Sequence, residues 1–181
     1  MEFYALHREQ IPFRIMYIFA VMLGLIAAGM LGLVIYHFTV APVDNEPGLG
    51  WMFVAEFVIM FSLAILLRQF SRYELVLTPE GINIKFGRIK RMIPWMEIDS
   101  YNVITSGTPL NSGGWKIGLG KNGWYSMYTV INKPRVVLQL NTGKIRQVMF
   151  STGQPEAVAG VIKRQTGKTP GADVAVFSQR L

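Results

Sequence analysis

Two apolar runs constrain this chain before any other feature. The first, IMYIFAVMLGLIAAGMLGLVIY, covers residues 15–36, twenty-two positions without a charge, and about 20 apolar residues suffice to cross a hydrocarbon core. The second, WMFVAEFVIMFSLAILL, covers residues 51–67 and contains one acid, Glu56. With the GLG before it, the second run reaches about 30 Å at about 1.5 Å per residue. We read both as membrane-spanning helices. A secretory signal would carry a shorter apolar region, about 7–15 residues, and a small-residue cleavage site, whereas here HFTVAP continues the run. Composition agrees, because 51% hydrophobic residues beside 16% charged ones describe a membrane protein with a modest soluble part.

The division that follows is an N-terminal segment (1–14), helix one (15–40), an external loop (41–50), helix two (51–67), a cytoplasmic domain (68–167) and a tail (168–181). Lys and Arg near span ends stay on the cytoplasmic side. Arg8 and Arg14 precede the first span, Arg68 and Arg72 follow the second, and the loop between has no basic residue. The expectation is a multi-pass protein of the cell (inner) membrane with both termini cytoplasmic. Tyr17, Tyr36 and Trp51 then sit at the interfaces.

Within the spans, Gly24, Ala28 and Gly32 recur every four residues and place small side chains in one column. Such a column lets another helix approach closely, either helix two of the same chain or a second subunit. Glu56 is a costly intramembrane carboxylate, and His37 falls near its level on the antiparallel helix. The expectation is a snorkelling or hydrogen-bonded group that stabilises the hairpin. A proton relay would need further ionisable groups at depth, and the spans offer none.

From Tyr73 onward the texture changes to short alternating runs split by turn residues. YELVLT and INIKF flank PEG, then come RIKRMI and IDSYNVIT; GWKIGL and WYSMYTV flank a glycine-rich loop, and RVVLQL and KIRQVMF flank NTG. We expect about seven strands in a small barrel or sandwich. In STGQPEAVAGVIKRQTG, Pro155 and Glu156 suit a helix start, Val158, Val161 and Ile162 form one stripe, and Gly167 suits the end. The helix would plug the open end of the barrel.

The segment YELVLTPEGINIKFGRIKRMIPWMEI resembles the opening of bacterial pleckstrin-homology-like (PH-like) domains: a strand, an E-G-I turn, then I-P-x-x-x-I. GGWKIGLGKNGWYSMY, VVLQLNTG and FSTGQPEAV are similar to the second half of those domains, so the resemblance covers residues 70–166. It implies an α+β membrane protein, a two-helix hairpin followed by an antiparallel barrel of seven strands capped by one C-terminal helix. It implies no common activity.

Residues 118–123, GLGKNG, match the G-x-G-x-x-G pattern of nucleotide-binding loops. That pattern needs a helix after it and an acidic residue about 20 positions on, but WYSMYTV follows and reads as a strand. We expect a β-hairpin, with Lys121, Asn122 and Gly123 supplying the turn, and no nucleotide cofactor. The soluble part has no histidine, since His7 and His37 are the only two, and the chain has no cysteine. Glu97 and Asp99 are the one close pair of acids there and read as a solvated edge beside Trp95. No enzyme, catalytic residue or metal site is expected.

Binding remains. Residues 69–181 carry fifteen Lys and Arg against six Asp and Glu, a net of +9. Lys85, Arg88, Lys90 and Arg91 are concentrated in KFGRIKR, near a hairpin tip that could face phosphates. The charge is otherwise scattered and no nucleic-acid motif appears. The primary reading is a non-enzymatic membrane-anchored module in protein–protein interaction or assembly, an accessory subunit or a self-associating one. The alternative is recognition of anionic lipid headgroups by the basic surface.

Overall fold

The computed structural model describes residues 5–40, 47–105, 113–120 and 123–171. The chain is α+β and divides into two units. One is a helical hairpin, Pro12–Arg72; the other joins the residues up to Ile11 with those from Tyr73 onward.

In the hairpin, α1 spans Arg14–Thr39 and α2 spans Pro47–Phe70. Neither apolar run is broken by proline, and Pro47 stands at the start of α2, where a missing N–H costs nothing. Both helices are long and apolar enough to cross a membrane, and only 11% of each apolar stretch is buried, unlike the core helix of a soluble protein. Ile18, Phe19, Leu25, Ile59 and Leu66 all face outward. The small side chains that the hairpin buries are Ala20 and Ala27 of α1 and Ala64 of α2. At its base the Phe13 N–H donates to the Ser71 carbonyl at 2.9 Å, and the Ser71 hydroxyl donates to the Arg68 carbonyl at 2.7 Å.

Among its described residues the second unit has nine strands in two sheets and one helix. The four-stranded sheet has the order β1 (His7–Pro12), β2 (Arg72–Thr78), β3 (Gly81–Phe86), β4 (Ile89–Pro94). The five-stranded sheet comprises β5 (Ile98–Ile104), β6 (Gly114–Gly120), β7 (Gly123–Thr129), β8 (Arg135–Leu140) and β9 (Ile145–Ser151), in the order β5-β8-β9-β7-β6. A single 3₁₀ turn, Trp95–Glu97, links the sheets. The eight runs read as strands are all present, as β2–β9, but they divide between two sheets where one antiparallel barrel of about seven strands is expected, and β7 runs parallel to β9. A ninth strand, β1, lies at the N-terminus and makes residues 7–11 part of the sheet unit instead of a separate segment. The hairpin is inserted into the four-stranded sheet between its first two strands.

Alternation explains the strands. Leu75, Leu77, Ile82, Ile84, Phe86 and Ile93 are buried on one sheet, and Tyr101, Val136, Leu138, Val148 and Phe150 on the other. Glu74, Lys85 and Lys90 alternate with them on the outer face. Across the sheets, the buried Tyr73 hydroxyl donates to the Ser151 carbonyl at 2.7 Å, and Arg91 Nη1 donates to Ser126 Oγ at 3.3 Å. The helix α3, Pro155–Thr166, buries Val158, Val161 and Ile162 and ends at Gly167 with φ of 70°, as its sequence predicts. The Tyr101 hydroxyl donates to the Ala159 carbonyl in it.

The sheet unit has two distinct ends. Tyr73 pairs with Phe86 and Phe86 with Ile89, so the Gly87–Arg88 turn lies beside the start of β2. β1 ends at the same end, because Leu6, just before its first residue, donates to the Leu77 carbonyl. Both passages to the hairpin therefore leave from this junction end, which Tyr73 ties to Ser151. At the far end Trp95 Nε1 donates to the Thr78 carbonyl, Asn141 Nδ2 donates to the Met96 carbonyl, and Arg146 Nη1 donates to the Asn141 carbonyl. The β6–β7 turn is at that end too, with Gly123 against Arg146.

Candidate functional site

The basic hairpin expected from KFGRIKR forms at the junction end. Phe86 and Ile89 are partners, which leaves Gly87 and Arg88 as a two-residue turn, and Gly87 adopts φ of 61°. Lys85 lies directly opposite Lys90 on the exposed face. Like charges so placed repel. Glu74 is Lys85's other neighbour, but its carboxylate accepts from Arg8 Nη2 at 2.7 Å and Nε at 3.0 Å. Among the described residues Lys85, Arg88 and Lys90 have no ion-pair partner. Arg91 differs from these three. Its partner on β3 is the buried Ile84, so its side chain shares the inner face and reaches Ser126.

In the hairpin unit, His37 is buried and packs edge-on against Phe53 and Phe38, and a Cβ on Gly50 would stand 2.5 Å from its ring. Glu56, half-buried, lies one turn past Phe53 and has no hydrogen bond among the described residues. The structure does not join the two. Gly24 and Gly32 have open space where a Cβ would stand, and Ala28 is exposed. The close approach within the hairpin uses Ala20, Ala27 and Ala64 instead.

GLGKNG lies in the β6–β7 hairpin as expected: Gly120 pairs with Gly123, and β7 follows where a phosphate site needs a helix. Lys121 and Asn122 fall outside the described residues. Gly123 adopts φ of +105°, and Gly118 is required for another reason, since a Cβ there would stand 2.5 Å from the Tyr125 hydroxyl. Glu97 ends in the 3₁₀ turn and Asp99 lies on β5, 3.6 Å from Lys168 Nζ, so the two do not share a strand face. Among the described residues no three His, Asp or Glu side chains gather as a metal site would need.

Two features were not legible in the sequence. The first is a polar knot around Glu9. Thr152 Oγ1 donates to its Oε1 at 2.6 Å, the Gly153 N–H donates to Oε2 at 2.6 Å, and His7 Nε2 lies 2.7 Å from Oε1. Burial pushes the Glu9 carboxyl up, but these bonds from Thr152, His7 and Gly153 outweigh it and hold the group below the ordinary glutamate value. The neighbouring Tyr73 hydroxyl is pushed well up by burial and then by the Glu9 charge. The knot fixes β1 to the chain that opens α3.

The second is the outer edge of the five-stranded sheet. On β6, Trp115, Ile117 and Leu119 share one face with Trp124 of β7, and they are 43%, 44%, 69% and 48% exposed. That is the face toward which Arg91 points, because Ile117 pairs with Ser126. Ser126 and Tyr128 on this face are covered, whereas the row on β6 extends beyond the cover. The strand is last in the sheet, and its outer edge is unpaired among the described residues. Contiguous exposed apolar side chains on a folded domain mark an interaction surface, and an unpaired edge adds a row of free N–H and C=O groups.

No family model matches the chain, and comparison with curated proteins and with solved structures finds no match to it.

Proposed function

We propose that the chain is a non-enzymatic binding module of the PH-like type, anchored in the cell membrane by its helical hairpin, that holds a partner protein at the cytoplasmic face. The observation that carries this reading is the apolar row Trp115, Ile117, Leu119 and Trp124 on the open edge of the five-stranded sheet. A buried core needs no such row outside it, and burying these four on association removes large apolar area from water, with Trp the residue type most often central to interfaces. Purified through a C-terminal tag in mild detergent, the full chain is expected to retain its partner, whereas Trp115→Ala with Leu119→Ser loses it and keeps its thermal transition. Unchanged retention by the double variant would overturn the assignment of this surface.

The cytoplasmic side is supported by Arg8, Arg14, Arg68 and Arg72 flanking spans whose connecting loop has no basic residue. The absence of native cysteine makes the test clean. Single cysteines at Asn45 and Lys116 are expected to react oppositely with an impermeant reagent in intact cells, Asn45→Cys from outside only. Reaction of Lys116→Cys from outside would reverse the orientation.

A second reading, contact with anionic lipid, is favoured by the unpaired Lys85, Arg88 and Lys90 at the junction end. Tyr73 follows Phe70 by three residues, about 10 Å when extended, a short link between the second helix and the start of β2. Each basic side chain there contributes about 1 kcal/mol near an anionic leaflet, within a Debye length of about 8 Å. In nanodiscs, a fluorophore on Met92→Cys is expected to be quenched by doxyl lipid more strongly with anionic than with zwitterionic lipid. Lys85→Gln with Lys90→Gln, or high salt, should remove the difference; a difference that survives both would point to specific headgroup recognition.

A further inference from the structure

We propose that β6 takes up an extended, acidic segment of the partner as an added strand. The proposal rests on the interaction-module reading and names the chemistry of what that surface binds. Strand addition needs an unpaired edge whose side chains alternate, so that backbone groups supply affinity and alternate side chains supply selectivity. On β6 the alternation is apolar on one face, Trp115, Ile117 and Leu119, and Lys116 between glycines on the other. An added strand would place apolar residues beside the tryptophan face and acids beside Lys116.

Charge selects the occupant. From Ser100 to Pro155 the chain has no Asp or Glu. Along the open edge the bases are Lys116, exposed on β6, and Arg146, whose side chain stands beside Gly123 at the start of β7. A second copy pairing edge to edge would bring two such surfaces together without a single compensating acid, which the like-charge penalty disfavours. An acidic, alternating polypeptide satisfies the edge, the apolar row and the charge together.

The test uses the full chain in zwitterionic nanodiscs and fluorescein-labelled peptides of roughly nine residues, a typical strand length. The probe alternates isoleucine with glutamate. One control replaces glutamate by lysine, a second carries N-methyl groups at alternate amides, and a single-stranded oligonucleotide of equal charge is the third. Anisotropy is expected to show saturable binding of the acidic peptide and at least about ten-fold weaker binding of all three controls. Leu119→Glu is expected to weaken the acidic peptide about ten-fold while Leu119→Lys does not; Leu119 is largely exposed, so both variants retain the fold. Equal binding of the N-methylated peptide would overturn strand addition, equal binding of the lysine peptide would overturn the charge argument, and tighter binding of the oligonucleotide would assign the edge to nucleic acid. In native membranes a photocrosslinker on Leu119→Cys separates the two levels. Protein adducts without peptide binding overturn strand addition and leave the interaction module standing; no adducts from this edge overturn both.

Discussion

Gly81→Ala is expected to be the most destabilising single-methyl change in the sheet unit. A Cβ on Gly81 would collide with the Ile93 carbonyl oxygen and stand 2.9 Å from its carbon and 3.0 Å from Pro94 Cα. All three are backbone atoms, so no rotamer relieves the contact. Gly81 pairs with Pro94 and begins the β3–β4 ladder, and moving it away breaks the register that buries Ile82, Ile84 and Ile93. Overpacking of this kind costs about 1–3 kcal/mol in general, and against the backbone of β4 the upper end, about 3 kcal/mol, is expected. Gly160→Ala is the control, because nothing lies within 4 Å of a Cβ in the middle of α3; it should stabilise by about 0.5–1 kcal/mol. Denaturant unfolding followed by circular dichroism would check the pair, and a neutral Gly81→Ala would refute the β3–β4 register.

Glu9→Ala is expected to detach β1, at a cost of about 2–4 kcal/mol, because it strands Thr152, Gly153 and His7 around a side chain only 8% exposed. Glu9→Gln keeps an acceptor but loses the charge, and should cost about half as much. Detachment is read as faster hydrogen exchange at residues 7–12 and at the start of α3, with the β8–β9 pairing unchanged. The knot also makes stability depend on pH in one direction. The folded carboxyl sits below the ordinary glutamate value, so its contribution is complete above that ordinary value and is lost as pH falls through the lowered folded one. A wild-type acid loss that persists unchanged in Glu9→Gln would show that another group is responsible.

The two large predictions concern residues of opposite legibility. The two apolar runs, β2 to β9 and α3 could be read because each carries its burial pattern in its own residues: continuous apolar sequence for α1 and α2, alternation for the strands, and Pro155, the Val158 stripe and Gly167 for α3. The GLGKNG hairpin could be read for the same reason, since WYSMYTV already prefers a pleated surface. Strand β1 could not. Its inward positions are His7, Glu9 and Ile11, and two of these three are polar, so the alternation that marks a strand is absent until Thr152 and Gly153, more than 140 positions away, satisfy Glu9.

The sites follow the same division. Local sequence placed Lys85, Arg88 and Lys90 together, because a two-residue turn brings neighbours along the chain to one hairpin tip, whereas strand parity turns Arg91 toward Ser126, which only the register shows. Local sequence marks a Gly24, Ala28 and Gly32 column for helix two or a second subunit, but which face of α1 meets α2 is a property of the pair, and within the chain that face is the one bearing Ala20 and Ala27. The exposed row on β6 was hidden in plain view. Trp115, Ile117 and Leu119 alternate like any core strand, and only the order β5-β8-β9-β7-β6 puts them at an edge that the other sheet leaves uncovered. By itself the sequence determined two long apolar helices, a β-rich domain and a closing helix, because short-range periodicity suffices for these. Tertiary structure alone decided that the hairpin interrupts a sheet, that Glu9 ties the sheet to α3, and that an apolar strand is left open, because each depends on which distant segments pair.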